Sequence, residues 1–178
     1  MKRIILSLLL VLSVYSFSFA QKTEGYPRAE WDIATAILMH TPGQELFDGV
    51  IHPSAGLFEN YFDVDKAAAE HRGYIKALEN NGIKVYTVEQ LLNEAPIEKL
   101  RVHAMNALTY DVSNMPNANV VENNNYRLKV INEMSRADLI RCILLQPTVT
   151  LYATDNNTGV EAVYTHQPLM NLYFTRDQ

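Results

Sequence analysis

The chain has a single cysteine, Cys142, in 178 residues. No disulfide can form within it, so its stability has to come from burial and hydrogen bonding. Glycine is sparse, at seven residues, and none of it gathers into a phosphate-cradling loop or a Gly/Ser linker. Basic residues are outnumbered, 15 Lys and Arg against 20 Asp and Glu, for a formal charge of -5. Without a Lys/Arg block, this balance argues against a nucleic-acid partner. Internal repeats and low-complexity segments are also missing. The five histidines (His40, His52, His71, His103, His166) show no ligand spacing such as H-E-x-x-H, so no metal is expected.

A long apolar run occurs once, at the start. Met1-Lys2-Arg3 is basic, "IILSLLLVLSVYSFSF" follows, and Ser18-Phe19-Ala20 puts small residues where a signal peptidase inspects them. This predicts a signal peptide over residues 1–20, cleaved after Ala20, and an exported, periplasmic or extracellular chain that is not membrane-embedded. The competing reading is an uncleaved anchor. The run is short for a span of about 20 residues, and the Ala20 site favours removal. No cysteine follows Ala20, so there is no lipoprotein attachment site. Residues 21–178 suffice for one modest core, given roughly 100–200 residues per domain. A composition of 48% hydrophobic and 20% charged residues is ordinary for a globular chain.

Local patterns predict an α/β fold. "IATAILMHTPG" (33–43) reads as a buried strand closed by Pro42-Gly43. Residues 44–64 hold scattered aromatics without a period and read as an ordered loop. From Asp65, apolar positions Ala67, His71, Tyr74, Ile75 and Leu78 share a helical face, and Asn80-Asn81-Gly82 stops it. "IKVYTV" (83–88) reads as a strand. Residues 97–145 read as helices with Asn-rich breaks. One apolar stripe runs through Ile97, Leu100, Ala104, Ala107 and Leu108, a second from Tyr126 to Met134, and Ser135 and Asp138 take capping-box-like spacing. Residues 148–154 and 160–165 read as a hairpin around "DNNTG", and 169–174 as a final buried strand. Asn156-Asn157-Thr158 is an N-glycosylation triplet that turn chemistry explains equally well.

That last segment, "NLYFTRD" (171–177), is the most specific motif. It ends on Thr175, Arg176 and Asp177 without a following turn or cap, which reads as a chain cut inside a structural unit. The sequence "NLYFTRD" resembles a site motif of the arginine deiminase and amidinotransferase family. Other landmarks occur in the family's order: Glu30, "HTPGQEL" (His40–Leu46), "YFDVDKAAAEH", "ENNGIKVYTVEQLL" and a helical insertion. The family's Arg between His and Pro is Thr41 here. The resemblance covers about Ala29 to Asp177.

The resemblance implies a five-module β/α propeller, of which this chain would hold a part. Residues 21–94 would form the first module, 95–146 a helical insertion, and 147–178 strands starting the next. It also implies a guanidino-group hydrolase, converting arginine to citrulline and ammonia through a covalent amidino-cysteine, with no organic cofactor. A guanidinium carbon is a poor electrophile, so such a site holds the planar fork with carboxylates while a thiolate attacks. On the family's pattern Asp177 is one such carboxylate. Phe174 packs near the guanidinium plane, where a cation–π contact is reasonable. Asn171 helps hold the substrate's amino-acid end, and Arg176 is an orienting partner. The family's cysteine nucleophile, histidine and second carboxylate belong to modules beyond this segment.

Cys142 does not fill that gap. It lies among Leu139, Ile140, Ile143, Leu144 and Leu145, an apolar helical stripe where a cysteine behaves as a small hydrophobe. Two functional readings follow. In one, the chain is the N-terminal part of a deiminase-like hydrolase, inactive by itself, that meets a guanidino substrate when a C-terminal segment completes it. In the other it is a non-catalytic binding module or a truncated gene product.

Overall fold

A computed structural model of the chain describes residues 34–155 and 158–177. The expected signal peptide, Glu30 and the Asn156-Asn157 pair lie outside the described residues. The described part, from Thr35 onward, is a mixed α/β unit with six α-helices and two small sheets. Among the described residues there is no closed barrel.

The first sheet pairs β1 (Ala36–Met39) with β2 (Lys84–Thr87) in parallel, Ala36 opposite Lys84 and Met39 opposite Thr87. A parallel pair needs a crossover, and α1 (Gln44–Val50) and α2 (Val64–Asn80) lie within it. Asp63 starts α2 by accepting a hydrogen bond from the Lys66 amide at 3.0 Å. Gly82 stops it at φ +79, a left-handed conformation that glycine adopts without strain. The face that α2 buries runs through Val64, Ala68 and His71; Tyr74, expected there, is exposed. The segment 44–64, expected to be a loop, instead holds α1 and a 3₁₀ turn at Pro53–Gly56. Seven helical residues are too few to show a period, and no side chain caps α1. Leu46 and Val50 stabilise it by burial with Val64, Phe58, Phe62 and Met170.

Helices α3 (Val88–Glu94), α4 (Ile97–Ala107), α5 (Val120–Glu133) and α6 (Arg136–Leu145) build the second core. Leu100 and Ala104 of α4 meet Leu108, Ile131, Leu139 and Cys142 there. Of the first expected stripe, Leu100, Ala104 and Leu108 are buried, and Ile97 and Ala107 are half-buried against them. The second contributes Ile131, while Tyr126 and Leu128 stay exposed. Ser135 caps α6 as its spacing with Asp138 implies: the Asp138 amide donates to Ser135 Oγ at 3.2 Å, and that hydroxyl donates to Asp138 Oδ2 at 2.6 Å. Three arginines satisfy carbonyls at or near helix ends, where the backbone has no helical partner. Arg136 reaches Ala95 O at 2.6 Å, Arg127 reaches Leu108 O at 2.8 Å, and Arg101 reaches Asn132 O at 3.2 Å.

Strand β3 (Thr109–Asn114) was not expected inside this helical stretch. It pairs in parallel with β4 (Pro147–Ala153), Thr109 opposite Thr148. Helices α5 and α6 are therefore the crossover that a parallel pair requires. The hairpin is as read: β5 (Val160–His166) runs antiparallel to β4, with Val149 opposite Tyr164. The expected final strand at 169–174 is not formed; residues Met170–Asp177 are a 3₁₀ helix. Pro168 has no amide to give a ladder. The amides of Gln167 and Leu169 instead bond to Leu145 O and Leu144 O at the end of α6, at 3.1 and 2.8 Å. Beyond them the chain turns on itself, with Leu172 N donating to Leu169 O at 3.1 Å.

Candidate functional site

The 3₁₀ helix carries the motif picked out from sequence. It packs on α1 and against β1. Met170 enters the cluster of Leu46, Val50 and Val64. Tyr173 sets its ring 5.7 Å from that of His71, at 53°. Asn171 lies on the exposed side of this helix. Phe174, Arg176 and Asp177 share the helix, but their side chains fall outside the described set. The backbone thus brings the four expected site residues onto one short element.

Beside Tyr173 opens a cavity of about 580 Å³ between α1, the following loop and α2. Its walls include Pro42, Leu46, Phe58 and Phe62, with Asp63, Lys66 and Glu70 as polar members. Asp63 already caps α2, and Lys66 faces Glu70 at 4.0 Å in the open. The cavity therefore offers an apolar surface rather than converging polar groups.

The strongest electrostatic feature lies under this helix and was not singled out from sequence. His40, at the end of β1, is 2% exposed. Its Nε2 is 2.8 Å from Glu45 Oε1 in the first turn of α1, and its Nδ1 is 2.9 Å from Glu89 Oε1 in the first turn of α3. The Nδ1 contact is close but not aligned as a good hydrogen bond, so it acts chiefly as an ion pair. A neutral imidazole has one N–H and would turn a lone pair toward one of these carboxylates. Burial opposes charge on the ring, yet the hydrogen bond to Glu45 and the charges of Glu45 and Glu89 outweigh it and raise His40 to about 9. Burial likewise disfavours charge on Glu45 and Glu89, and their pairing with the His40 ring outweighs it, so both lie below the usual carboxylate value.

The sequence signal for this cluster was present, because "HTPGQEL" and "VEQLL" stood among the family landmarks. The landmark residues prove to be mutual partners. Gly43 belongs to the same design: its amide donates to Glu45 Oε1 at 2.8 Å, and a Cβ there would stand 2.8 Å from Glu45 Oε2. The next layer is His71, whose Nδ1 shares a 3.3 Å hydrogen bond with the Thr41 hydroxyl and whose pKa burial pushes down. Cys142 packs in the helical core, and burial pushes its thiol up to about 11, far from a usable thiolate. Among the described residues, no group of three or more His, Cys, Asp or Glu is arranged to hold a metal ion. No described helix is long and apolar enough to cross a membrane.

Comparison with known proteins adds identity to this geometry. A family model described as arginine deiminase matches residues 55–178. The arginine deiminase of Halobacterium salinarum is 28% identical over 176 aligned residues, which cover 90% of this chain and 35% of that protein. The chain therefore spans about a third of the length of this curated relative. No solved structure matches it.

Proposed function

This chain belongs to the arginine deiminase family, and from that premise we propose that it supplies the guanidinium-holding segment of an exported hydrolase that converts arginine, or a related guanidino compound such as a peptidyl-arginine, to the citrulline product and ammonia. The observation that carries the reading is the family match across residues 55–178, which includes the whole of Asn171–Asp177. In this reading Asp177 accepts paired N–H bonds from the substrate's guanidinium and Phe174 lies against its plane. Asn171 holds the amino-acid end, and Arg176 orients the carboxylate. A thiolate attacks the guanidinium carbon, ammonia leaves, and water then cleaves the amidino-cysteine bond, with a histidine moving the protons.

This chain does not supply that thiolate. Its one cysteine is Cys142, buried and with a thiol pushed up to about 11. We therefore place the nucleophile in a further segment that completes the propeller, with residues 21–94 as its first module, 95–146 as an insertion and 147–178 as the start of the next. The inert cysteine also favours the rival reading, a non-catalytic binding module. Citrulline formation separates them. The purified chain is expected to form none, and the chain extended by the sequence encoded downstream of codon 178 is expected to form it. Activity of the chain alone, lost in Cys142→Ser, would refute the assignment of the nucleophile; no related sequence downstream would favour the binding module.

A further inference from the structure

We infer that His40 is a positioning residue for the Asn171–Asp177 segment: its ring, held on both nitrogens by Glu45 and Glu89, locks the end of β1 to the starts of α1 and α3, and α1 in turn seats the 3₁₀ helix. The inference rests on the proposed function only in calling that segment a substrate-binding one. Its basis is geometric. Two elements adjacent in sequence, β1 and α1, and a third some forty residues on, α3, converge on one buried ring, at 2.8 and 2.9 Å. Two paths lead from that ring to the 3₁₀ helix. One runs through α1, where Leu46 and Val50, next to Glu45 on the same helix, enclose Met170. The other runs through Thr41, adjacent to His40, to His71 and its ring contact with Tyr173.

The titratable and charged groups around the ring are Glu45 from α1, Glu89 from α3, and His71 with Arg72 behind it from α2. Two carboxylates face one cation, so the ring is held only while it carries both protons. A ring that loses one must turn a lone pair toward Glu45 or Glu89 and release that element. Burial pushes His71 toward its neutral form, so it does not compete for the carboxylates. The clamp should therefore open as pH rises through the value of about 9 at which His40 titrates. The 3₁₀ helix should loosen with it, while the β4–β5 hairpin away from His166, which pairs with Asp48 of α1 at 3.4 Å, should not.

Hydrogen exchange on the full chain tests this. The reporters are the amides of Leu169 and Leu172, which bond to Leu144 O and Leu169 O, with amides at the far end of the β4–β5 ladder, around Leu151 and Ala162, as internal controls. In His40→Gln at pH 7, the reporters are expected to exchange about tenfold faster, with the controls changed less than about twofold. Glu89→Gln, at a half-exposed position, should act in the same direction and more weakly. In the unaltered chain, protection of the reporters, corrected for the intrinsic rise of exchange with pH, should fall between pH 7 and pH 10; in His40→Gln it should stay flat. Equal acceleration at reporters and controls would overturn the proposal, since it marks an ordinary core residue. So would unchanged reporters, or a His40→Gln chain that keeps the alkaline response. If His40→Gln does not fold, Glu89→Gln and the pH series of the unaltered chain decide. None of these readouts uses arginine, so their failure would remove the clamp and leave the functional reading standing.

Discussion

At the scale of single residues, the His40 cluster makes stability depend on pH with a definite sign. The ring titrates at about 9 when folded against an ordinary 6.5. Folding therefore favours proton binding between those values, and the contribution is complete below about 6.5 and lost as pH rises through 9. Glu45 and Glu89 titrate below an ordinary 4.5, so their share is present above that value and lost as pH falls beneath it. The cluster should stabilise most between these limits. The rise of His40 corresponds to roughly 3 kcal/mol, reduced by water at Glu89, whose side chain is 36% exposed. Denaturant unfolding at pH 6 and pH 9.5 is expected to show the loss. His40→Gln should be less stable than the unaltered chain at pH 6 and nearly equal to it at pH 9.5. An equal deficit at both would mean that the ring contributes packing alone.

Among the elements, the helical core and the 3₁₀ helix behave differently. Leu139 and Ile131 are fully buried on α6 and α5. Leu139→Ala should therefore cost about 2–5 kcal/mol by calorimetry or denaturant unfolding, through lost burial and an unfilled cavity. Val121→Ala, at a position 69% exposed on α5, should change stability by less than about 0.5 kcal/mol. Elements with a full period or a complete cap were legible in the sequence. The α2 helix with its Gly82 stop, the Leu100–Ala104–Leu108 stripe, the Ser135 cap and the β4–β5 hairpin are of this kind. Elements governed by distant partners were not. Thr109–Asn114 is a strand because β4 lies beside it, and α1 is a helix because Met170 and Val64 close over Leu46 and Val50. Leu169–Phe174 has the apolar content of a strand, but Pro168 and the end of α6 take its backbone elsewhere. The motif at 171–177 was legible as letters. The residues of the His40 cluster beneath it were legible as landmarks, but their pairing was not, because a charge pair between residues 40 and 89 has no local pattern.

At the scale of the whole molecule, two facts pull apart. The chain belongs to the arginine deiminase family. Its one cysteine is buried in a helical core, and it spans about a third of a curated relative. The central claim is that this portion contributes the carboxylate that holds the cationic fork. It is tested most directly by turnover of the proposed completed enzyme, this chain joined to the modules we propose to complete it, with Asp177→Asn compared with Glu94→Gln. Asparagine keeps the shape of aspartate but turns a donor toward a donor. Removing one partner of a buried charged pair costs roughly 3–5 kcal/mol. The account predicts a loss of about two to four powers of ten in kcat/KM for Asp177→Asn, and near-normal turnover for Glu94→Gln. Near-normal turnover of Asp177→Asn in that background would contradict it.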